Sequence, residues 1–176
     1  TPVDTEAALA PLYACVPSIR ITDLLTEVDR WTGFTAAFTH LHSGRAAEAP
    51  RVTLAPVLAD ATNLGHRRMA EACALVSQRQ LAWLAAWHLR EETYGRALGV
   101  LVDAQHRLPL AARFGAGSSS SSDGQHFPLD RRAQATGAIN PHKGSEAAVS
   151  FYTHVSDRYA PFHSKVISAT AGESRL

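Results

Sequence analysis

Two periodicities divide this sequence, and they belong to different kinds of element. From residue 19 to about 108, apolar side chains recur three or four positions apart, the spacing of one helix face. After Gly115-Ala116-Gly117 and the run Ser118 to Ser122, apolar and polar residues alternate, as on a half-buried strand. The architecture that satisfies both is α+β: a helical region, then the start of an antiparallel sheet. The expected domains are 1–114 and 115–176.

The first expected helix starts at Thr22, an N-cap residue, and carries Leu24, Leu25, Val28, Trp31, Phe34, Phe38 and Leu41 until Ser43-Gly44 ends it. A second starts near Thr53, with Pro56 in its first turn, and closes at Gly65. Met69, Cys73 and Val76 mark a short third helix. Ser77-Gln78-Arg79-Gln80 reads as a capping box ahead of Leu81 and Leu84, and a last helix after Arg90 runs until Pro109 stops it. In the second half, Val149–Val155 and Phe162–Ile167 alternate around the turn-like Ser156–Pro161 and make a hairpin. Asp123–Phe127 is an earlier strand, joined to the hairpin by a loop with Gly137, Pro141 and Gly144.

Charge narrows the function classes. Seventeen basic side chains face sixteen acidic ones, so bulk charge gives no case for nucleic-acid binding. Neither part hides a basic half: residues 1–117 hold 11 of each sign, and 118–176 hold 6 basic and 5 acidic. Two cysteines, Cys15 and Cys73, do not make a disulfide framework. No apolar run approaches membrane-spanning length and no signal-like start is present, which leads us to expect a cytoplasmic protein. The only methionine is Met69, so we expect a piece of a longer chain.

Among residues that carry chemistry, Asp123 stands first. It follows the serine run at the start of a strand, where a carboxylate with open space beside it can hold a hard divalent cation such as magnesium. The plainer reading of Asp123-Gly124 is a turn, with the aspartate accepting backbone hydrogen bonds. Nine histidines are present, none with the spacing of a known zinc site. His40 and His42 fall at an expected helix end, where imidazolium suits the dipole. His154 and Asp157 flank the hairpin turn, from which they can approach Asp123 across neighbouring strands. Trp31, Trp83 and Trp87 can stack on bases, although their helical spacing suits packing better. Arg67, Arg68, Arg79, Arg90 and Arg96 either face a phosphate backbone or pair with Glu71, Glu91 and Glu92.

Several longer strings carry a resemblance. They are Ile21-Thr22-Asp23-Leu24-Leu25-Thr26-Glu27-Val28-Asp29 with Trp31-Thr32-Gly33-Phe34, and Leu58-Ala59-Asp60-Ala61-Thr62-Asn63-Leu64-Gly65. Trp87-His88-Leu89-Arg90-Glu91-Glu92-Thr93-Tyr94 and Ser120-Ser121-Ser122-Asp123-Gly124-Gln125 follow. Gly144-Ser145-Glu146, Phe151–Asp157 and Pro161–Ile167 complete the series. Together they resemble the Tn3 family of transposases, the large DDE enzymes of class II bacterial transposons, in order from about Ile19 to Thr170.

The resemblance implies a helical region that precedes a catalytic domain, then the first antiparallel strands of an incomplete ribonuclease-H-like fold. In such enzymes two aspartates and a glutamate hold two Mg2+ ions about 4 Å apart, which clamp an in-line phosphoryl displacement. Water frees a 3′-hydroxyl at the transposon end, and that hydroxyl attacks target DNA in replicative transposition. The Ser-Ser-Asp-Gly-Gln string places the first catalytic, metal-binding aspartate at Asp123. The other two acids are expected beyond Leu176, with Gln125, His154, Asp157 and Lys165 as supporting residues. The implied partners are transposon ends, target DNA and, at full length, further copies of the chain. Two alternatives stay open: a non-catalytic DNA-binding or assembly module, including a decayed relic, and a metal-dependent hydrolase built on Asp123, His154 and His163.

Overall fold

A computed structural model describes residues 5–128, 138–139 and 146–168. Among them are six α-helices: α1 (Thr5–Ala14), α2 (Ile21–Thr32), α3 (Pro50–Ala61), α4 (Gly65–Ala72), α5 (Gln78–Trp87) and α6 (Glu91–Arg107). Four strands follow: β1 (Ser120–Pro128), β2 (Ala138–Ile139), β3 (Ala147–Ser156) and β4 (Pro161–Ser168). The chain separates into two compact units, Thr1–Leu89 and Arg90–Leu176. The composition break at 115 falls inside the second unit, because it marks a connector and not a limit of packing. Helix α6, which precedes the connector, packs on β4, which follows it.

Local chemistry explains where the helices of the first unit begin and end. The helix expected to run from Thr22 to Ser43 stops eleven residues short of that, at Thr32. Gly33 takes the left-handed conformation (φ 68°) and its N–H bonds the Asp29 carbonyl at 2.7 Å, a C-cap that glycine adopts without a Cβ penalty. The Asp29 carboxylate then accepts the Thr35 N–H at 2.9 Å and turns the chain into a 3-10 segment, Phe34–Ala37. His40 and His42 consequently lie in a turn closed by a bridge between Thr39 and Ala46, not at a helix end. α3 starts earlier than expected, with Pro50 in its first turn, where a missing N–H costs nothing. Pro56 sits inside this helix, buried.

The capping box is present as read. Ser77 Oγ accepts the Gln80 N–H at 3.3 Å, while Gln80 Oε1 accepts the Ser77 N–H at 2.9 Å. It delivers Leu81, fully buried, into a core with Ala55, Ala59, Met69 and Val76.

The second unit opens on α6. The Thr93 hydroxyl accepts the Arg90 N–H and donates to the Arg90 carbonyl, both at 2.9 Å, closing the first turn. The hairpin forms as expected, with β3 as the spine of the sheet. β1 and β4 pair antiparallel with β3, and β2 pairs with its Ala147–Ala148 end. β1 begins at Ser120, so three serines read as part of a break are strand; pairing with Ser156, Val155 and His154 overrides their weak local preference. Gly137, Pro141 and Gly144 of the expected loop lie outside the described residues.

All three tryptophans fall in the first unit, so their fluorescence reports its unfolding. Leu81→Ala is expected to destabilise that transition by about 2–5 kcal/mol, the range for emptying a buried leucine site, measured by urea titration.

Candidate active site

Strand register decides what can stand beside Asp123. Asp123 pairs with Thr153, and Thr153 pairs with Ser164. Side chains alternate along a strand, so this row shares a face with the rows two residues away: Gln125, Phe151 and Val166 on one side. His154 pairs with Ser122 and His163, and Lys165 with Tyr152, which faces Gly124. These rows lie on the opposite face. Of the supporting residues expected from the sequence, Gln125 shares the Asp123 face, while His154 and Lys165 do not. The expectation that His154 approaches Asp123 is therefore corrected by one residue of register. The same offset separates Asp123 from both His154 and His163, so the hydrolase alternative loses its ligand set.

The Asp123 face is open. Asp123 is exposed, and its carboxylate makes no hydrogen bond or ion pair among the described residues. Nearby on this face Phe127 and Phe151 meet edge-on at 5.3 Å, with Phe127 and Val166 exposed. The other face holds the buried Ser150 and Tyr152, and Ser150 Oγ bonds His126 Nδ1 at 3.1 Å. His154 stacks there on His163, centroids 5.7 Å apart.

Asp123-Gly124 is not a turn but the middle of β1. The glycine has a different reason to be there: a Cβ at Gly124 would stand 2.7 Å from Cζ of the Tyr152 ring. Gly124 thus leaves room for the large buried side chain that packs the sheet directly beside Asp123.

The hairpin tip holds the connector that leads into β1. Asp157 Oδ1 and Oδ2 accept the Gly117 N–H at 2.9 and 3.1 Å, Oδ2 accepts the Ser119 hydroxyl at 3.2 Å, and the Asp157 N–H donates to the Ser119 carbonyl at 3.0 Å. Partial burial pulls the Asp157 pKa upward. The hydrogen bonds from the Ser119 hydroxyl and from the Gly117, Ser118 and Ser119 N–H groups outweigh it and hold the carboxyl below its ordinary value. Asp157 is thereby a clamp on the connector, away from the Asp123 row. Gly115 is part of the same fit, since a Cβ there would collide with the Asp157 carboxyl.

Arg158, which no sequence pattern singled out, completes the clamp. Its guanidinium donates to three carbonyls: Gly115 at 3.1 Å, His106 at 3.0 Å and Ala116 at 2.9 Å. Its partners lie more than forty residues upstream, so nothing adjacent to it in the chain announces the role.

Of the helix arginines, Arg67 pairs with Glu71 at 3.2 Å and Arg90 with Glu92 at 3.5 Å, which supports the paired reading for those two. No group of three or more His, Cys, Asp or Glu among the described residues can hold a metal. No helix among them is long and apolar enough to cross a membrane.

Comparison with known proteins places this geometry in context. The family description "Tn3 transposase DDE domain" matches residues 23–176. The transposase for transposon Tn21 of Escherichia coli is 51% identical over 172 residues, which cover 97% of this chain and 17% of that protein. The transposase for Tn3926, also of Escherichia coli, is 46% identical over 180 residues, 99% of this chain and 18% of the relative. The transposase for Tn501 of Pseudomonas aeruginosa is 43% identical over 180 residues, with the same two shares of 99% and 18%. The chain thus spans less than a fifth of the length of these curated relatives.

Substitutions at three positions test the site's construction. Because the folded Asp157 carboxyl has the lower pKa, its contribution is full above the unfolded value and is lost as pH falls through the folded one. Wild type should therefore lose stability relative to Asp157→Asn on acidification below about pH 4, in urea titrations at stepped pH. Arg158→Ala should cost about 2 kcal/mol and raise amide hydrogen exchange in β1, with Arg158→Lys restoring less than half because an ammonium lacks the planar fork. Gly124→Ala should cost about 1–3 kcal/mol by forcing the Tyr152 ring aside, read from the same exchange measurement.

Proposed function

The chain belongs to the Tn3 transposase DDE family, and from that premise we propose that it is the part of a DNA transposase carrying the first of three catalytic acids, Asp123. One observation supports this most directly: a carboxylate with no partner among the described residues stands mid-strand on the open face of an antiparallel sheet. The hairpin and its pairing with β1 suit the antiparallel start of a ribonuclease-H-like domain, read here as 115–176, after a helical region at 1–114. In this reading α6 belongs to the helical region by chain order and props the sheet by packing.

Family membership implies dependence on a divalent metal, and Mg2+ is the proposed ion. The described residues do not form its site by themselves. Beside Asp123 on its face stand Gln125, Thr153 and Ser164, all neutral, and the histidines considered from the sequence face the other way. A single carboxylate does not clamp two cations across a phosphoryl displacement. No catalytic step is therefore assigned to these residues alone, and the remaining acids come from outside them. What this segment supplies is one carboxylate at a place set by strand pairing, with Gln125 as a neutral hydrogen-bonding group two residues on. The substrates proposed for the complete enzyme are transposon ends and target DNA, handled by a homo-oligomer in the cytoplasm. The match to proteins named as transposases favours an enzyme segment over a module without catalysis.

Two measurements test the proposal. In the transposase reading frame that carries this segment, Asp123→Cys should lower Mg2+-supported strand cleavage about a thousand-fold, the scale of several kcal/mol of transition-state stabilisation, and regain part of it with Mn2+. Unchanged cleavage in that variant would remove Asp123 from the active site. The 176-residue chain alone should leave supercoiled plasmid intact in Mg2+; nicking that disappears in Asp123→Asn would show that the acids assigned elsewhere are not needed.

A further inference from the structure

A ring cluster in the first unit has no part in the Asp123 site. The turn through His40 and His42 is tied to α5 by the Leu41 N–H, which donates to the Trp87 carbonyl at 2.9 Å. This lays the His40 imidazole on Trp87, centroids 5.5 Å apart and planes within 9°. Trp83 stands 5.8 Å from His40, and His88 meets it edge-on at 5.3 Å. The orientation is held by the protein itself. His40 Nδ1 accepts the His42 and Ser43 N–H groups at 3.2 and 3.3 Å, and the buried His88 donates from Nδ1 to the Phe38 carbonyl at 3.0 Å.

A cavity of about 370 Å³ opens against this cluster. It falls at the small end of ligand pockets, on the scale of one base with its sugar. His40 and Trp83 give it aromatic lining, Leu84 and Val52 aliphatic lining, and Arg45 and Glu48 are exposed lining residues of opposite sign. Trp83 is 49% exposed, which leaves part of a large ring available to a visitor. The Arg45 side chain has no ion pair among the described residues. A carboxylate in the lining disfavours a phosphate inside the cavity, whereas it accepts hydrogen bonds from the amino edge of a base. A guanidinium beside it suits the phosphate that such a base brings along.

We propose that this cavity takes one unstacked nucleobase of a DNA strand, with Trp83 and His40 as stacking surfaces and Arg45 as the contact to the neighbouring phosphate. The proposal rests on the reading that the chain handles DNA. It adds a site in the first unit, separate from Asp123, where a base leaves the helical stack. Stacking of this kind is tolerant of base identity and strongly favourable for single-stranded over paired DNA.

The test uses the 176-residue chain and two labelled ten-nucleotide strands with equal phosphate number, one of deoxycytidines and one of abasic sites, in fluorescence-anisotropy titrations. The deoxycytidine strand should bind about 5- to 100-fold tighter, the range for stacking one base. Trp83→Ala should remove most of that preference while leaving the abasic strand's affinity in place, and Trp83→Phe should keep it, which separates lost stacking from lost folding. Arg45→Ala should weaken both strands and flatten their salt dependence. Equal affinity for the two strands, or a preference untouched by Trp83→Ala, overturns the base pocket and leaves the DNA reading standing, because phosphates then account for binding. Binding of neither strand also overturns the pocket, and the DNA reading then rests on the Asp123→Cys cleavage assay alone.

Discussion

The second unit depends on one guanidinium. Arg158, at the tip of the β3–β4 hairpin, satisfies the carbonyls of Gly115 and Ala116 in the connector and of His106 in the last turn of α6. Carbonyls at a helix end have no partner within the helix and carry the negative end of its dipole, so a cation there serves both needs. Asp157 next to it takes the Gly117 N–H and the Ser119 hydroxyl of the same connector. Two adjacent charges of opposite sign thus engage both donors and acceptors of a glycine-rich stretch that has no secondary structure of its own. The strand bearing Asp123 emerges from that stretch.

From this clamp the rest of the site follows by strand geometry. Once β1 enters at Ser120 opposite Ser156, each later residue has its partner assigned, and each pair has its face. Asp123 falls on the open face and Gly124 on the packed one, where Tyr152 needs the space a side chain would take. A slip of one position would move the carboxylate to the Tyr152 face and set a side chain where that ring needs the space. At the hairpin end, β4 carries one extra residue between its partners of His154 and Val155, a bulge that lets the tip turn back on the connector while the remaining ladder keeps its register. The turn also holds Tyr159 at φ 57°, a left-handed conformation uncommon outside glycine, against an edge-on contact with Phe114 at 5.1 Å.

Much of the helical region was legible because its signals are local. A Ser77/Gln80 capping box and the stop before Pro109 involve atoms three or four residues apart, and both stand as read. The hydrophobic spacing continues through Gly33 although the helix does not: Phe34 and Phe38 are buried as the pattern asks, but on a 3-10 turn and a loop. Period alone did not distinguish a helix from a chain that folds back to bury the same side chains. His40 and the two tryptophans of α5 illustrate the same limit. Their spacing announced packing, yet the stacked cluster and its cavity come from a turn that brings position 40 against position 87.

The amino-acid sequence by itself determined the kinds of element, their order and the family, and it singled out Asp123 as the residue proposed for the family's first acid. Those properties reside in periodicity, caps and contiguous strings, all of which are written within a few residues. Tertiary structure alone decided which groups share a face with Asp123, why a glycine follows it, and that Asp157 and Arg158 hold the connector in place of joining the acid. The physical reason is that alternation gives every strand residue one of two faces, while the register that chooses between them is set by hydrogen bonds between atoms about forty residues apart in the chain.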